Sequence, residues 1–296
     1  MRRPDYTEAL PATSMVPSEI SRQTSPSVVA HRGASLAYPE NTVEAFEGAI
    51  AAGADAVELD VRLTSDGIAV ILHDLDVGAT TDGTGFVHTM TLADVKRLDA
   101  SGGRGSRAEV PTLREALEVL SGRCGVNIEV KNLPGEPSFD SPREAAAEAA
   151  VRTLEDIGFD GMALISSFNW LSIEHIRAMD PSLATGFLTT AAIDPHAALV
   201  YAVSKGHAYV LPQAPALYEA GEEFVREAHG LQVRVGTWTV DDPEAIERLF
   251  SWGVDAVATN VPEVAVPIRD RFRAASTGVI TKERGERSAP SGSQPR

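Results

Sequence analysis

A chain of 296 residues with 43% hydrophobic content carries enough apolar material for one large or two small cores, and it needs no covalent staples to fold. Its 26 basic against 42 acidic residues give a formal net charge of −16, which repels polyanions, disfavours nucleic acid or an anionic membrane surface as the main partner, and requires any phosphate site to be local. The single cysteine, Cys124, excludes an intramolecular disulfide and reads as a buried, inert thiol, so the cytoplasm is the expected location.

Residues 1–26 start basic but contain no apolar run of the signal-peptide kind, and no later stretch reaches the roughly 18 apolar residues of a membrane span. A soluble chain without stable membrane insertion is expected. Residues 1–26 and 273–296 are rich in Ser, Pro, Gly and charge and are expected to be disordered tails, leaving one domain over residues 27–272. Within it, strand-like runs alternate with helix-like segments: "SVVAHRG" precedes "NTVEAFEGAIAAG", then "DAVELDVRL", and later "CGVNIEVKN", "EAAAEAAVRTLEDIG", "MALISSF", "NWLSIEHIRAMD" and onward to "DAVATN". Gly53, Gly158, Gly206, Gly230 and Gly253 each close a helix just before the next strand, as left-handed C-caps do. Eight strands, starting near residues 28, 56, 126, 162, 184, 208, 232 and 255, fit a (β/α)8 TIM barrel better than a doubly wound sheet. One segment breaks the alternation. "LTSDGIAVILHD" reads as the second strand turning at Asp66-Gly67 into an antiparallel partner, which makes residues 74–110 a small insertion over one end of the barrel.

The first strand runs directly into His31, Arg32 and Gly33, where neither the imidazole nor the guanidinium helps packing. In "VELDV", Glu58 and Asp60 are two apart on a strand and so share a face. Their repulsion would be relieved by a hard cation such as Mg²⁺ or Ca²⁺. The same period recurs in "NIEVKN", where Glu129 and Lys131 share a face, and three acids with one lysine suggest an anion held through a metal. If Asp66 and Gly67 form a two-residue loop, Ser65 pairs with Ile68 and Asp60 with His73, placing His73 beside the carboxylates; a loop one residue longer pairs Asp60 with Leu72 instead. An isolated E-x-D is ordinarily an edge or a salt-bridge pair, and an isolated "HRG" a loop turn. Here His31, Glu58, Asp60, Glu129 and Lys131 all fall at or near the C-terminal ends of successive barrel strands, the catalytic face of such barrels. His88, His175, His196, His207 and His229 lie in the insertion, on helices or at helix–strand turns, and read as surface or packing residues.

Together, "AHRGASLAYPENTVEAF", "GADAVELDVRLTSDGIAVILHD", "TTDGTGFVHTMTLADVKRLDA", "VPTLREALEVL", "NIEVK", "ISSFN" and "VGTWTVDD" resemble the glycerophosphodiester phosphodiesterase family over about residues 28–270. The resemblance implies metal-dependent hydrolysis of a small-molecule glycerophosphodiester to sn-glycerol 3-phosphate and an alcohol. It also implies His31 and His73 as the acid–base pair, Glu58, Asp60 and Glu129 as ligands of a divalent ion, and Arg32 and Lys131 as phosphate-binding groups. Trp238, in "TWTV", either walls the glycerol side or packs as a core aromatic. The nucleophile is water or the glycerol 2-hydroxyl. The alternative is a related phospholipase D-like barrel acting on lysophospholipids or sphingomyelin, which would call for an apolar lip or an export signal. Three positions depart from the family pattern: Ala79 stands where Arg is frequent, Asp241 where Asn follows "WTV", and Thr259-Asn260 where "TD" is frequent.

Overall fold

The computed structural model describes residues 25–285, the stretch 276–285 by its backbone alone. The expected tails therefore lie outside the described residues up to residue 24 and from residue 286. Nine strands are present among the described residues: β1 (Ser27–His31), β2 (Ala56–Leu63), β3 (Ala69–Ile71), β4 (Gly125–Val130), β5 (Ala163–Ser167), β6 (Ala184–Thr189), β7 (Tyr209–Pro212), β8 (Arg234–Thr237) and β9 (Ala256–Thr259). All but β3 are parallel neighbours in a ring that closes because β1 pairs with both β2 and β9, giving the expected eight-stranded TIM barrel. The helices are α1 (Val43–Ala52), α2 (Leu92–Val95), α3 (Leu113–Leu120), α4 (Ala145–Ile157), α5 (Trp170–Met179), α6 (Pro195–Lys205), α7 (Ala214–Gly230), α8 (Pro243–Ser251) and α9 (Pro262–Gly285).

Local chemistry explains where these elements start and stop. Thr42 caps α1, Thr112 and Glu115 form a capping box on α3, and Asp194 and Asp242 cap α6 and α8, each ahead of a proline at the first turn. Gly53, Gly158 and Gly206 are left-handed C-caps, and Gly253 also has positive φ. Gly230 does not follow the expectation. It ends α7 in helical conformation, and the left-handed residue of that turn is Gln232, at φ 62°. The last helix runs past residue 272, where composition placed the end of the domain, because Phe272 packs edge-on against Phe250 and Arg273 pairs with Asp55 at 2.8 Å.

The barrel wall and its helices bury two large apolar clusters, one around Leu59, Ile128, Ile165 and Leu117, the other around Val210, Val235, Leu217 and Phe224. A small layer of Leu164, Leu188, Tyr209 and Leu211 fills the barrel interior. The insertion has its own core, in which Val77, Val87, Val95 and Leu98 cover Val70 and Leu72 of the hairpin.

The hairpin register differs from the expected one. Leu63 lies opposite Ala69 and Val61 opposite Ile71, which sets Asp60 opposite Leu72. The loop is three residues long, closed by Thr64 and Ile68, whose backbone N–H and carbonyl meet at 3.0 Å. Gly67, at φ 78°, supplies the left-handed residue that such a loop requires. Asp66 is drawn out of a tight two-residue turn because its carboxylate accepts from the Thr64 hydroxyl (2.6 Å) and from Leu92 N–H at the start of α2 (3.0 Å). His73 is thus outside the ladder, and strand alternation does not set its direction.

The remaining histidines have packing or surface partners. His229 meets Asp255 at 2.8 Å, His196 meets Glu227 at 3.0 Å, and His88 stacks on Phe86. His207, 3% exposed, bonds Thr185 Oγ1 at 2.8 Å and lies against the Tyr201 ring. Burial, with Arg177 nearby, pushes its pKa down to about 4. The unfolded chain, with an ordinary histidine near 6.5, takes up this proton first, so stability from a neutral His207 is fully present above pH 6.5 and is lost as pH falls toward 4. Between pH 7 and 5 the loss should be ~2 kcal/mol. Urea unfolding at both pH values should show His207→Gln flattening that slope, and an unchanged slope would contradict the assignment.

Candidate active site

Period two along neighbouring parallel strands gathers the acidic groups. Register sets His31 opposite Glu58, Glu58 opposite Asn127 and Asp60 opposite Glu129, so side chains that share a face on each strand also share a level in the barrel. Glu58, Asp60 and Glu129 are all buried, and one carboxylate oxygen from each lies within 4.8 Å of the others. Lys131 brings its ammonium to 3.0 Å from Asp60 Oδ1 and also contacts Glu129 Oε1.

The "HRG" turn is shaped around these carboxylates. Arg32 and Gly33 are both left-handed, at φ 58° and 83°, a strained choice for arginine that turns its backbone N–H onto Glu58 Oε2 at 3.1 Å. Gly33 has a second reason to lack a side chain, since a Cβ there would come within 2.6 Å of the Ala45 carbonyl on α1. The Arg32 guanidinium spans Asp60 Oδ2 (3.3 Å) and Glu40 Oε1 (2.9 Å). In "ENT", Glu40 thus holds Arg32, Asn41 donates to Asp60 Oδ2 at 2.8 Å, and Thr42 caps α1.

Charge crowding splits the acids. Burial first, then the neighbouring Asp60 charge, pushes Glu58 up, and Glu129 is pushed up by burial against the opposing pull of Lys131. Asp60 moves the other way: burial acts to raise it, but Lys131, Arg32 and the Asn41 amide hold it below the usual carboxylate range. Two cations facing four carboxylates, Glu40 included, leave excess negative charge when all are ionised. Glu58 Oε1 is buried without a hydrogen-bond partner. An all-oxygen donor set with an orphaned carboxylate oxygen fits a hard divalent cation.

Both histidines flank this cluster. His31 bonds Asn260 Oδ1 through Nδ1 at 2.7 Å, and burial, with Arg32 second, lowers its pKa. His73 reaches the site from beyond β3 despite the shifted register. Its carbonyl accepts from Arg62 Nε at 2.8 Å, and Arg62 is itself clamped by Glu136 through both terminal nitrogens at 2.7 and 3.0 Å. Its ring lies near Asp60 and Lys131, bonds Asp74 at 3.1 Å, and has a pKa lowered by burial and then by Lys131.

Trp238 lines the same cavity as His31, Glu58 and Glu129. Its indole N–H is tied to the Leu211 carbonyl at 2.9 Å, and its ring meets Phe168 edge-on at 5.4 Å. Phe168, whose ring centroid is 5.8 Å from Lys131 Nζ, was missed by sequence reasoning. So were Arg62, Asn41, Asp241 and Asn260 as contributors to the site. Asn260 was findable, since it continues the inward row of Ala256 and Ala258 on β9. The "ISSFN" motif braces the site from behind: Asn169 donates to the Asn132 carbonyl (2.9 Å), and buried Glu144 accepts from Asn132 and Ser172, both at 2.6 Å.

An acid cluster with two histidines at the open end of a parallel barrel marks the active-site face of a barrel enzyme. The chain belongs to the glycerophosphoryl diester phosphodiesterase family, which residues 31–264 match. A glycerophosphodiester phosphodiesterase of Caldanaerobacter subterraneus subsp. tengcongensis is 36% identical over 246 residues, 81% of this chain and 96% of that protein. Another, from Bacillus altitudinis, is 32% identical over 255 residues, 83% and 99% of the two chains. Among solved structures, an Oleispira antarctica phosphodiesterase in complex with the product sn-glycerol-3-phosphate is similar at TM-score 0.74 and 30% identity, covering 83% of this chain and 97% of that one. None of the described helices is long and apolar enough to cross a membrane.

Arg62→Met should free the His73 carbonyl and Glu136 together. Turnover should fall by about 10- to 100-fold, with a far-UV spectrum like that of the parent; unaltered kinetics would mean that Arg62 does not position His73.

Proposed function

We propose that this chain hydrolyses glycerophosphodiesters to sn-glycerol 3-phosphate and a free alcohol, with His31 and His73 exchanging protons across the scissile bond. The observation that carries this reading is the cluster of three buried carboxylates, Glu58, Asp60 and Glu129, with His31 on the cavity that Glu58 and Glu129 line and His73 in the field of Asp60 and Lys131. Family membership and the product named for the Oleispira antarctica relative support the same chemistry. The relatives do not favour the lysophospholipid or sphingomyelin alternative.

Glu58, Asp60 and Glu129 would hold a divalent ion, Mg²⁺ or Ca²⁺, which supplies neutralisation of the phosphoryl oxygens and of the charge that grows on them. Arg32 and Lys131 stand beside that position and would orient the remaining phosphate oxygens, Arg32 through its fixed guanidinium plane and Lys131 as a point charge. Burial lowers both imidazoles, which suits one of them, neutral near pH 7, to take the proton of the attacking oxygen; the other has to enter the reaction as the imidazolium, a form that the anionic phosphodiester beside it favours, to protonate the leaving alcohol. Trp238 and Phe168 give the pocket an apolar wall that suits the carbon face of glycerol. The single thiol is buried, pushed up to about 11 and therefore inert, and we place the enzyme in the cytoplasm on the cysteine usage of the sequence.

His31→Ala and His73→Ala should each lower kcat by about 10²- to 10⁴-fold while thermal unfolding stays near that of the parent, read as glycerol 3-phosphate release from a panel of glycerophosphodiesters. Excess EDTA should abolish activity, and Mg²⁺, Ca²⁺ or Mn²⁺ should restore it. Full turnover in chelator would overturn the metal-dependent reading.

A further inference from the structure

We infer that Asp241 and Asn260 are positioning residues that fix the tautomer of His31, keeping its proton on Nδ1 and its Nε2 bare on the opposite side of the ring. The inference deepens the reading of His31 as a proton-exchanging group and rests on it for the kinetic consequence alone.

The argument is one of donors and acceptors. The Asp241 carboxylate can only accept, and it faces two groups of Asn260 at once: Oδ1 takes the Asn260 backbone N–H at 2.7 Å, and Oδ2 takes the side-chain Nδ2 at 2.8 Å. Thr259 Oγ1 also donates to Oδ1 at 3.0 Å, which anchors the carboxylate. The Asn260 amide must therefore turn its NH₂ toward Asp241 and its oxygen toward His31. Ser35 Oγ lies 2.9 Å from that same oxygen and 2.8 Å from the His31 carbonyl, and with one proton to share between them it leaves the amide orientation to Asp241. An amide oxygen 2.7 Å from His31 Nδ1 admits only a ring that carries its proton there. The imidazole left open to the cavity is then a proton acceptor at Nε2. A carboxylate placed one hydrogen bond away thus sets the state of the ring without contributing its charge to the ring directly.

The same logic makes a near-isosteric change disruptive. In Asp241→Asn, the new amide oxygen is claimed by the Asn260 backbone N–H, so its NH₂ faces the Asn260 side chain. Asn260 must then flip, present NH₂ to His31 Nδ1 and drive the ring proton to Nε2. Adding Asn260→Asp restores an acceptor-only group between the two donors and returns the original tautomer.

Long-range ¹H–¹⁵N correlation spectra of ¹⁵N-histidine-labelled full-length protein, with His31 assigned from the His31→Ala spectrum, read the tautomer directly, and kcat and KM are measured on the same samples. The wild type should hold Nδ1–H. Asp241→Asn should shift His31 toward Nε2–H and lower kcat by about 10²- to 10³-fold with KM within about threefold. The double variant Asp241→Asn/Asn260→Asp should recover the tautomer and bring kcat back to within about tenfold of wild type. A wild-type His31 protonated at Nε2 overturns the inference whatever the activity, as does Asp241→Asn with parental spectrum and kcat, or a folded double variant that recovers neither. Should wild type turn over no diester, the proposed function fails while the spectra still decide the tautomer.

Discussion

Three buried carboxylates held together at one end of the barrel are the costly feature around which this molecule is organised. Like charges within a few ångströms, removed from water, are unfavourable by several kcal/mol unless met by cations and hydrogen bonds. The fold meets that demand with Lys131 from the neighbouring strand, Arg32 from the end of β1, the Asn41 amide, and a backbone N–H turned inward at a left-handed arginine. Each device fixes chain geometry in turn. The Arg32-Gly33 turn requires a glycine against α1, and Asn41 requires its own left-handed conformation at φ 57°. Two of the left-handed non-glycine residues, Arg32 and Asn41, thus sit where the charge is, as expected when a site is arranged for a ligand instead of for stability.

The two histidines are held by different means. His31 is anchored across the barrel closure by β9, through Asn260 and the Asp241 carboxylate. His73 is anchored through its backbone by buried Arg62, which also fastens Glu136 of the loop after β4. Two of the three positions singled out in the sequence analysis, Asp241 and Asn260, touch each other and join a carboxylate to an amide in one hydrogen-bonded pair. The third, Ala79, lies in the short helical turn 77–79 of the insertion.

The apolar side of the pocket comes from the second half of the barrel. Phe168 after β5 and Trp238 after β8 meet edge to face, and the Trp238 N–H is satisfied by β7, so both rings are held rigidly without a polar group left open. Charge is thus supplied by β1, β2 and β4, and hydrophobic surface by the later strands. Such a division suits a substrate with a charged phosphate on one side and a carbon skeleton on the other.

The period-two rows Glu58-Asp60 and Glu129-Lys131, the eight strand positions and the insertion were legible from sequence by themselves, because side-chain direction along a strand depends only on spacing and a parallel barrel brings the strand ends to one level. The His31-Arg32-Gly33 turn was legible for a similar local reason, since nothing in it could serve a core. Tertiary structure alone decided the rest. The hairpin took a three-residue loop because Asp66 found a distant partner at the start of α2, and His73 was returned to the site by Arg62 instead of by strand alternation. His31 gained its partner from a residue 229 positions away, and Lys131 turned onto Asp60 and Glu129. Spacing along one strand carries no record of these contacts, because each is settled by which groups on separate segments can satisfy one another once water is excluded.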